Sequence, residues 1–207
     1  MAPPADLAIR ARWDAWFAGD DYLFGTAPNA YLRAQAPLLR RGMTALAVAD
    51  GEGRNGVWLA SQGLAVTSID LSAVGVEKAR RLARERDVAL TAHCADVLTW
   101  DWPVDAVDVV AEIFLQIPSA ERRTVHSRIR RALKPGGIVI LEAFHKRGLG
   151  RTGPRDADLL YDAAGLADDF AGLDILELLE GTVRLDEGER HQGLAEVVRL
   201  VARRLDQ

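Results

Sequence analysis

The stretch ALAVADGEGRNGVWLA, residues 45–60, decides the fold of this chain. A run of small apolar residues breaks at Asp50-Gly51-Glu52-Gly53 and then resumes with the spacing of a helix. A strand, a glycine-containing turn and a helix in this order are typical of nucleotide-binding α/β proteins. The turn has neither the Gly-x-Gly-x-x-Gly pattern of dinucleotide-binding proteins nor the Gly-Lys-Ser/Thr of a phosphate-binding loop. It therefore predicts a ligand that needs no pyrophosphate clamp.

The composition is that of one globular domain with a sizeable core. The chain has 207 residues, of which 49% are hydrophobic and 27% charged. The net charge of −4 argues against nucleic-acid binding, and no apolar run is long enough to span a membrane. The N-terminal residues lack the apolar core of a secretory signal, so a cytoplasmic location is expected. The single cysteine, Cys94, excludes an internal disulfide and a cysteine-rich metal site, and we interpret it as a small core residue.

Strand-like and helix-like segments alternate along most of the chain. Ser72 and Pro118 are expected to open helices, and Gly63 to end one. This order predicts a Rossmann-like, doubly wound α/β fold, with a mostly parallel, seven-stranded sheet covered by helices on both faces. No helix fits between the last two strands, so they are expected to form an antiparallel hairpin. The strand-like segments are residues 44–49, 65–70, 89–96, 106–114, 138–144, 173–185 and 194–205.

An acidic residue stands at the end of each of the first three predicted strands. Asp50, Asp70 and Asp96 hold these positions, and no lysine or arginine clusters with them. Ligands of open α/β sheets bind at the carboxyl ends of the strands. Asp70 follows the first turn by about 20 residues, which is the distance of an acid that binds ribose hydroxyls. Carboxylates repel phosphate, so three acids together favour an adenosine with a cationic tail over a diphosphate.

Four segments of the chain resemble the class I S-adenosylmethionine-dependent methyltransferases, over roughly residues 13–205. Within that class the chain looks most like small bacterial proteins of the tellurite-resistance and thiopurine methyltransferase type, on the segments FGTAPNAYL (24–32), GEGRN and EGERHQG (187–193). The four class segments are GEGRN (51–55), VTSIDLS (66–72), CADV (94–97) and LKPGGIVILE (133–142). The resemblance implies S-adenosylmethionine as cofactor and S-adenosylhomocysteine as product.

The resemblance also implies a division of the single domain, residues 1–207, into three parts. Residues 1–42 are an N-terminal helical lid segment, 43–144 the cofactor-binding core, and 145–207 an acceptor-side loop, helix and terminal hairpin. The implied cofactor-binding residues are Asp50, Gly51, Gly53, Arg54, Asn55, Asp70, Leu71, Asp96, Val97 and Glu112. No metal is expected.

One departure concerns the turn itself. The family pattern is acid-x-Gly-x-Gly-x-Gly, and here Ala47 and Ala49 replace its acid and its first glycine. Asp50 lies directly before Gly51 instead. We expect Asp50 to take over contact with the amino group of the cofactor, directly or through water. The effect of the two alanines on the site is left open.

Methyl transfer is an in-line displacement that needs the nucleophile held about 3–3.5 Å from the methyl group. A base is required only when the nucleophile must lose a proton. The candidates for catalysis are His145, just after the fifth strand, and Glu112. Aromatic residues of the N-terminal segment are candidates for a cover over the site: Trp13, Trp16, Phe17, Tyr22, Phe24 and Tyr31. The candidates for substrate binding are Tyr22, Phe24, Phe114, His145 and His191.

The leading hypothesis is methyl transfer to a small-molecule acceptor, with a thiol, tellurite or another soft nucleophile as candidates. Neither nucleic acid nor a membrane is an expected partner, and the sequence leaves the oligomeric state open. Two alternatives remain. One is a non-catalytic module that binds the cofactor or its demethylated product. The other is a nicotinamide-dependent oxidoreductase, against which the missing third glycine of the dinucleotide pattern, Asp96 and the terminal hairpin argue.

Overall fold

A computed structural model describes residues 5–206, with side chains from residue 7 onward; residues 1–4 and 207 of the predicted lid and hairpin segments lie outside the described residues. In chain order the elements are α1 (Ala5–Phe17), α2 (Ala30–Ala34), β1 (Thr44–Val48), α3 (Arg54–Ser61), β2 (Ala65–Asp70), α4 (Ala73–Glu85), β3 (Thr91–Cys94), β4 (Val107–Ile113), α5 (Ser119–Ala132), β5 (Leu133–Phe144), α6 (Ala163–Asp169), β6 (Asp174–Glu187) and β7 (His191–Arg203). No helix within this part of the chain is long and apolar enough to cross a membrane.

The seven strands form one sheet in the order β3-β2-β1-β4-β5-β7-β6. The first five strands are parallel, while β7 pairs antiparallel with β5 and with β6. The predicted doubly wound fold with a terminal hairpin is therefore confirmed. Because β1 to β4 run in the same direction, their carboxyl ends meet at one edge of the sheet.

Both faces of the sheet are covered, which explains the continuous apolar runs of the central strands. Side chains alternate between the faces along a strand. Leu46 of β1 belongs to the core that includes Ile129 of α5, whereas its neighbour Ala45 belongs to the core that includes Leu59 of α3 and Leu32 of α2. Each of these five side chains is at most 1% exposed. This packing fixes the register of β1 and therefore the position of the turn that follows it.

The turn after β1 has a left-handed backbone at the position where the family pattern has its first glycine. Ala49, at the position of the absent glycine, has a φ of 51°, in the left-handed region. This conformation costs a residue with a Cβ about 1–2 kcal/mol. Gly53 has a φ of 89° and directly precedes α3. The chain thus keeps the turn despite the alanine.

Helix α4 begins and α3 ends as the sequence predicts. The Ser72 hydroxyl accepts a hydrogen bond from Gly75 N at 3.0 Å, so Ser72 is the N-cap of α4. Gly63 follows the C-cap of α3 with a φ of 87°. Cys94 differs from its prediction. It is the last residue of β3 and is exposed, because β3 is an edge strand with few neighbours on one side.

A buried histidine joins the helical layer to the sheet. His126 of α5 lies between two carboxylates, with Nδ1 2.8 Å from Asp169 Oδ2 and Nε2 3.2 Å from Glu112 Oε1. Burial opposes the charged ring, but the carboxylates of Glu112 and Asp169 outweigh it and raise the pKa of His126 to about 9. The folded protein therefore holds a proton on His126 that the unfolded chain releases at lower pH.

We expect Gly53→Ala to lower the free energy of unfolding by about 2–4 kcal/mol. A Cβ added to Gly53 would lie 2.5 Å from the Cβ of Ala79, and the left-handed φ adds strain. Urea unfolding measures the effect. The control is Gly181→Ala, where an added Cβ has no atom within 4 Å. Equal stability of the two variants would contradict this account of the turn.

Stability should also fall as the pH rises from 7.5 to 9.5. The folded pKa of His126 lies above its unfolded value of about 6.5, so its contribution is complete below pH 6.5 and is lost as the pH passes 9. The expected loss is about 2 kcal/mol in urea unfolding. The pKa values of Asp50 and Asp70, about 7 and 6, lie below this window.

Two histidine variants test this assignment. His126→Gln should abolish the loss between pH 7.5 and 9.5, whereas replacing the exposed His93 by Gln should leave it in place. A slope that persists in His126→Gln would show that another group carries it.

Candidate active site

A cavity of about 390 Å³ lies at the carboxyl ends of β1 to β4. This volume is within the range of small-molecule sites. In chain order the lining forms two groups, named here the first and the second half. The first consists of residues that follow β1, β2 and β3, and the second of residues that follow β4 and β5 together with parts of the N-terminal segment and the hairpin. The lining residues used below are Arg12, Trp13, Phe17, Phe24, Gly25, Asp50, Gly51, Glu52, Arg54, Asn55, Asp70, Leu71, Asp96, Val97, Phe114, Leu115, Gln116, Ile117, Pro118, Glu121, Asp156, Leu159 and His191.

Asp70 holds the turn at the entrance to the first half. Its Oδ2 accepts a hydrogen bond from Gly51 N and its Oδ1 accepts one from Ser72 N, both at 2.8 Å. Burial raises the pKa of Asp70 to about 6, and these two backbone bonds oppose the rise. Each oxygen keeps a second lone pair, so Asp70 is able to accept further hydrogen bonds from a ligand in the cavity.

Asp50 has a structural role that the sequence interpretation did not include. Its carboxylate accepts a hydrogen bond from Gly56 N in the first turn of α3 at 3.1 Å and another from the Ser68 hydroxyl at 3.0 Å. Burial raises the pKa of Asp50 to about 7. The carboxylate therefore caps α3 and ties it to β2. The expected contact of Asp50 with a ligand amino group stays a prediction.

The other strand ends of this half carry a mixture of apolar and acidic groups. Leu71 and Val97 line the cavity beside Asp96. Asp96 is half-buried, and its Oδ1 accepts a hydrogen bond from Leu98 N at 2.8 Å, which leaves Oδ2 for a ligand donor. Gly51 lines the cavity, whereas Gly53 does not, because Gly53 packs against Ala79 of α4. Its role is to shape the turn.

Arg54 and Asn55 begin α3 and are both buried. Arg54 Nη2 donates to Glu187 Oε2 at 2.7 Å, while Nη1 is buried without a hydrogen-bond partner among the described residues. Asn55 Oδ1 accepts a hydrogen bond from Asn29 N at 2.9 Å. A buried donor without a partner costs free energy, so the Arg54 guanidinium is suited to an anionic ligand group in the cavity that it lines.

Within the part of the chain that the structure describes, His191 is the one histidine that lines the cavity. Its ring is packed among three aromatic rings, with centroids 4.4 Å from Phe24, 4.7 Å from Phe114 and 5.3 Å from Phe144. Burial lowers the pKa of His191. A neutral imidazole beside an aromatic wall is able to accept a proton from a molecule in the cavity.

The N-terminal aromatic segment, residues 13–31, covers the cavity with some of its predicted side chains. Trp13, Phe17 and Phe24 line the cavity, and Trp16, Tyr22 and Tyr31 do not. Tyr22 instead donates its hydroxyl to Lys78 O at 3.2 Å, so the substrate contact predicted for Tyr22 differs from its place in the structure.

Two side chains anchor this segment. Lys78 Nζ donates to the carbonyl oxygens of Gly19 and Asp21 at 2.9 and 2.6 Å. Glu52 Oε2 accepts a hydrogen bond from Leu23 N at 2.8 Å, and Glu52 also forms an ion pair with Lys78. The sequence interpretation missed both residues.

His145 lies away from the cavity, unlike the base that the sequence suggested. Its Nε2 is 3.0 Å from Glu180 Oε1 on β6, and its Nδ1 accepts a hydrogen bond from Arg147 N. The reason is the path of the chain after β5. The backbone N–H of His145 donates to Glu196 O, so the chain continues beside β7 and not over the edge where the cavity lies.

Glu112 also lies outside the cavity lining, so neither of the two predicted catalytic residues is placed there. Along β4 the side chains alternate between faces, and Glu112 shares the face of Val110, which packs in the core below α5. Its Oε1 is therefore paired with His126 and lies 3.3 Å from the Tyr161 hydroxyl. Phe114, two residues later, does line the cavity and has a φ of 57°.

Asn29 and Glu187 are further residues that the sequence interpretation missed. Asn29 Nδ2 donates to Glu187 Oε1 at 3.0 Å and to Glu142 Oε2 at 2.5 Å. The sequence did contain a signal that could have identified these residues. Asn29, Asn55 and Glu187 belong to the three motifs FGTAPNAYL, GEGRN and EGERHQG. The structure brings those motifs together at one end of the cavity.

Comparison with known proteins agrees with this architecture. Residues 45–137, just under half of the chain, match the sequence model of the family described as methyltransferase domain. No curated protein sequence matches the chain significantly.

Three solved structures share the fold. One comes from a study of the conversion of a disulfide bond into a thioacetal group during echinomycin biosynthesis, with 22% identity, a TM-score of 0.77 and coverage of 95% of this chain and 92% of that chain. TehB from Haemophilus influenzae has 15% identity, a TM-score of 0.73 and coverage of 86% and 63%. The 1,6-didemethyltoxoflavin-N1-methyltransferase of Burkholderia thailandensis, solved with bound 1,6-didemethyltoxoflavin and S-adenosylhomocysteine, has 21% identity, a TM-score of 0.67 and coverage of 100% and 92%.

At these identities the structural likeness shows the shared fold alone, and the family match adds the kind of domain. Residues 45–137 of the chain therefore match a methyltransferase domain, and the sheet around them has the Rossmann-like fold of the solved methyltransferase structures.

Proposed function

We propose that the protein transfers a methyl group from S-adenosylmethionine to a small-molecule acceptor. The observation that carries the proposal is the lining of the cavity, which combines acids and an unpaired arginine donor with an apolar wall and His191. When bound, the cofactor supplies a methyl group on a positively charged sulfur. A site for such a reaction needs a grip on the adenosyl part and a dry place for the acceptor.

The first half of the cavity fits S-adenosylmethionine. Asp70 is placed to accept hydrogen bonds from ribose hydroxyls, and Asp96 to accept one from the amino group of adenine. Arg54 Nη1, buried without a partner, fits the carboxylate of the methionine tail. Acids outnumber basic groups along this half, which suits a cationic ligand and opposes a diphosphate.

The second half favours an uncharged acceptor with a proton to lose. Its apolar wall consists of Phe24, Phe114, Leu115, Ile117, Pro118 and Leu159. His191, kept neutral by burial, is the group that would accept a proton from a thiol or a hydroxyl. Phe24 and Phe114 exclude water from the reacting atom.

The charged residues beside this wall favour a thiol over tellurite as the acceptor. Glu121 and Asp156 line this half and repel an oxyanion, and among the described residues Arg12 is the only basic one in the lining besides Arg54 and His191. Arg54 is bound to Glu187 through Nη2, and its Nη1 serves the carboxylate of the cofactor, so neither nitrogen is left for the acceptor. A neutral thiol is not repelled by these carboxylates, and it needs no basic residue to balance a negative charge.

A non-catalytic binding module is the competing function, because Ala47 and Ala49 replace two family residues. Such a module would keep the cofactor turn as an enzyme does, and the feature that favours an enzyme is His191 beside the apolar wall of the cavity. Ala49 has the left-handed backbone that a glycine would adopt, so the turn keeps its shape. Asp70 and Gly51 meet without either missing residue.

Calorimetric titration with S-adenosylmethionine and S-adenosylhomocysteine tests the cofactor site, with NADH as the control ligand. We expect binding of the two adenosyl ligands and none of NADH. Asp70→Ala should weaken binding by about 1–3 kcal/mol, because it removes a buried, charge-assisted contact. Asp174→Ala, an exposed acid on β6, should leave binding unchanged. Unaltered affinity in a folded Asp70→Ala variant would remove Asp70 from the site.

A transfer assay tests the reaction. The protein is incubated with methyl-labelled S-adenosylmethionine and either benzyl mercaptan, a thiol that is uncharged at neutral pH, or tellurite, and the labelled product is extracted. Methylation of the thiol would support the proposal, and preference for tellurite would contradict the charge argument. Binding of the cofactor without transfer to any thiol, alcohol or oxyanion of a broad screen would favour the binding module.

A further inference from the structure

Glu187, the last residue of β6, is held from three sides. Arg54 Nη2 donates to its Oε2 at 2.7 Å, while Asn29 Nδ2 and Ala30 N donate to its Oε1 at 3.0 and 3.2 Å. Burial opposes the charged form, but the proximity of His191, the charge and hydrogen bond of Arg54 and the backbone of Ala30 outweigh burial and lower the pKa of Glu187 to about 2. The carboxylate is therefore ionised and fixed in orientation.

The fixed carboxylate faces the inner nitrogen of His191. His191 Nδ1 lies 3.7 Å from Glu187 Oε2 and is buried with no hydrogen bond to any other described residue. The rings of Phe24, Phe114 and Phe144 surround the imidazole. An anion beside Nδ1 favours a proton on that nitrogen, and the proton on one nitrogen leaves the lone pair on the other.

We propose that Glu187 is a positioning residue that sets His191 in the tautomer with its proton on Nδ1, so that Nε2 is free to accept a proton from the acceptor. The inference rests on the proposed function. The acceptor keeps the electron pair of the broken bond to hydrogen, and its proton moves to His191 Nε2. The imidazolium that forms is stabilised by the Glu187 carboxylate and later returns the proton to water.

Asn29 connects the Glu187–His191 pair to the aromatic segment that covers the cavity. Asn29 follows Phe24 and Gly25, which line the cavity, and its side chain supports the carboxylate that orients the base. Glu189 N donates to Leu23 O at 2.9 Å, so the hairpin turn and the aromatic segment are joined directly. Displacement of the aromatic segment therefore removes Phe24 from the wall of the cavity and Asn29 from Glu187.

Histidine NMR tests the inference without any acceptor. Long-range ¹H–¹⁵N spectra at pH 7.5 separate the tautomers of the four histidines, and a His191→Gln variant assigns the signal. We expect wild-type His191 to carry its proton on Nδ1. In Glu187→Gln its pKa should fall by about one unit or more, because the neighbouring negative charge is gone. A wild-type proton on Nε2 would overturn the proposal.

The matched control is Glu142→Gln. Glu142 is also a buried carboxylate bound to Asn29, but it pairs with Arg199 and has no contact with His191. It should leave the His191 tautomer and pKa as in the wild type. Equal effects of the two substitutions on His191 would show a general structural role and contradict a positioning role for Glu187.

Steady-state kinetics with the thiol acceptor supply the second readout. Glu187→Gln should lower kcat about tenfold or more, keep KM for S-adenosylmethionine within about twofold, and move the acidic limb of the pH profile to lower pH. Methyl transfer that is equally fast in Glu187→Gln and Glu142→Gln would overturn the inference and leave the proposed function intact. Absent transfer together with the Nδ1 tautomer would overturn the proposed function and support the orientation of His191.

Discussion

Two buried carboxylates hold the turn between β1 and α3, and the site is arranged around them. Asp50 binds Gly56 N of α3 and the Ser68 hydroxyl of β2, while Asp70 binds Gly51 N from the end of β2. Burial raises the pKa of both acids, so keeping either carboxylate ionised costs free energy. A ligand that brings hydrogen-bond donors and positive charge relieves this cost. The turn is therefore suited to a cationic adenosyl compound.

The cover of the cavity depends on a second set of buried charges. Asn29 bridges Glu142 and Glu187, and Glu52 pairs with Lys78, which binds carbonyl oxygens of the aromatic segment. These contacts join the N-terminal segment to α3, α4 and the hairpin. Buried ion pairs add little net stability, but breaking one partner is costly. The network therefore fixes where the aromatic rings and His191 lie, which is what a reaction between two bound molecules requires.

The fold and the meeting of Asp50, Asp70 and Asp96 in one cavity were predictable from sequence, because strand order places the three acids at one edge of the sheet. The directions of the other site side chains were not predictable. Glu112 shares the face of Val110 below α5, and its partner there, His126, belongs to another element. His145 follows the path of β7, which the sequence does not reveal. Asn29 and Glu187 are 158 residues apart, so only the folded chain shows that they meet. The shared motifs indicated that these residues matter, without indicating why.

The most direct test of the central claim is a crystal structure of the protein with S-adenosylhomocysteine. The account places the ribose hydroxyls within hydrogen-bonding distance of Asp70 and the tail carboxylate on Arg54 Nη1, with the sulfur directed toward Phe114 and His191. A ligand bound in this way, with the aromatic segment closed over it, is the expected result. The account is contradicted if the ligand lies elsewhere, or if the cavity stays empty at a saturating ligand concentration while the turn keeps its shape.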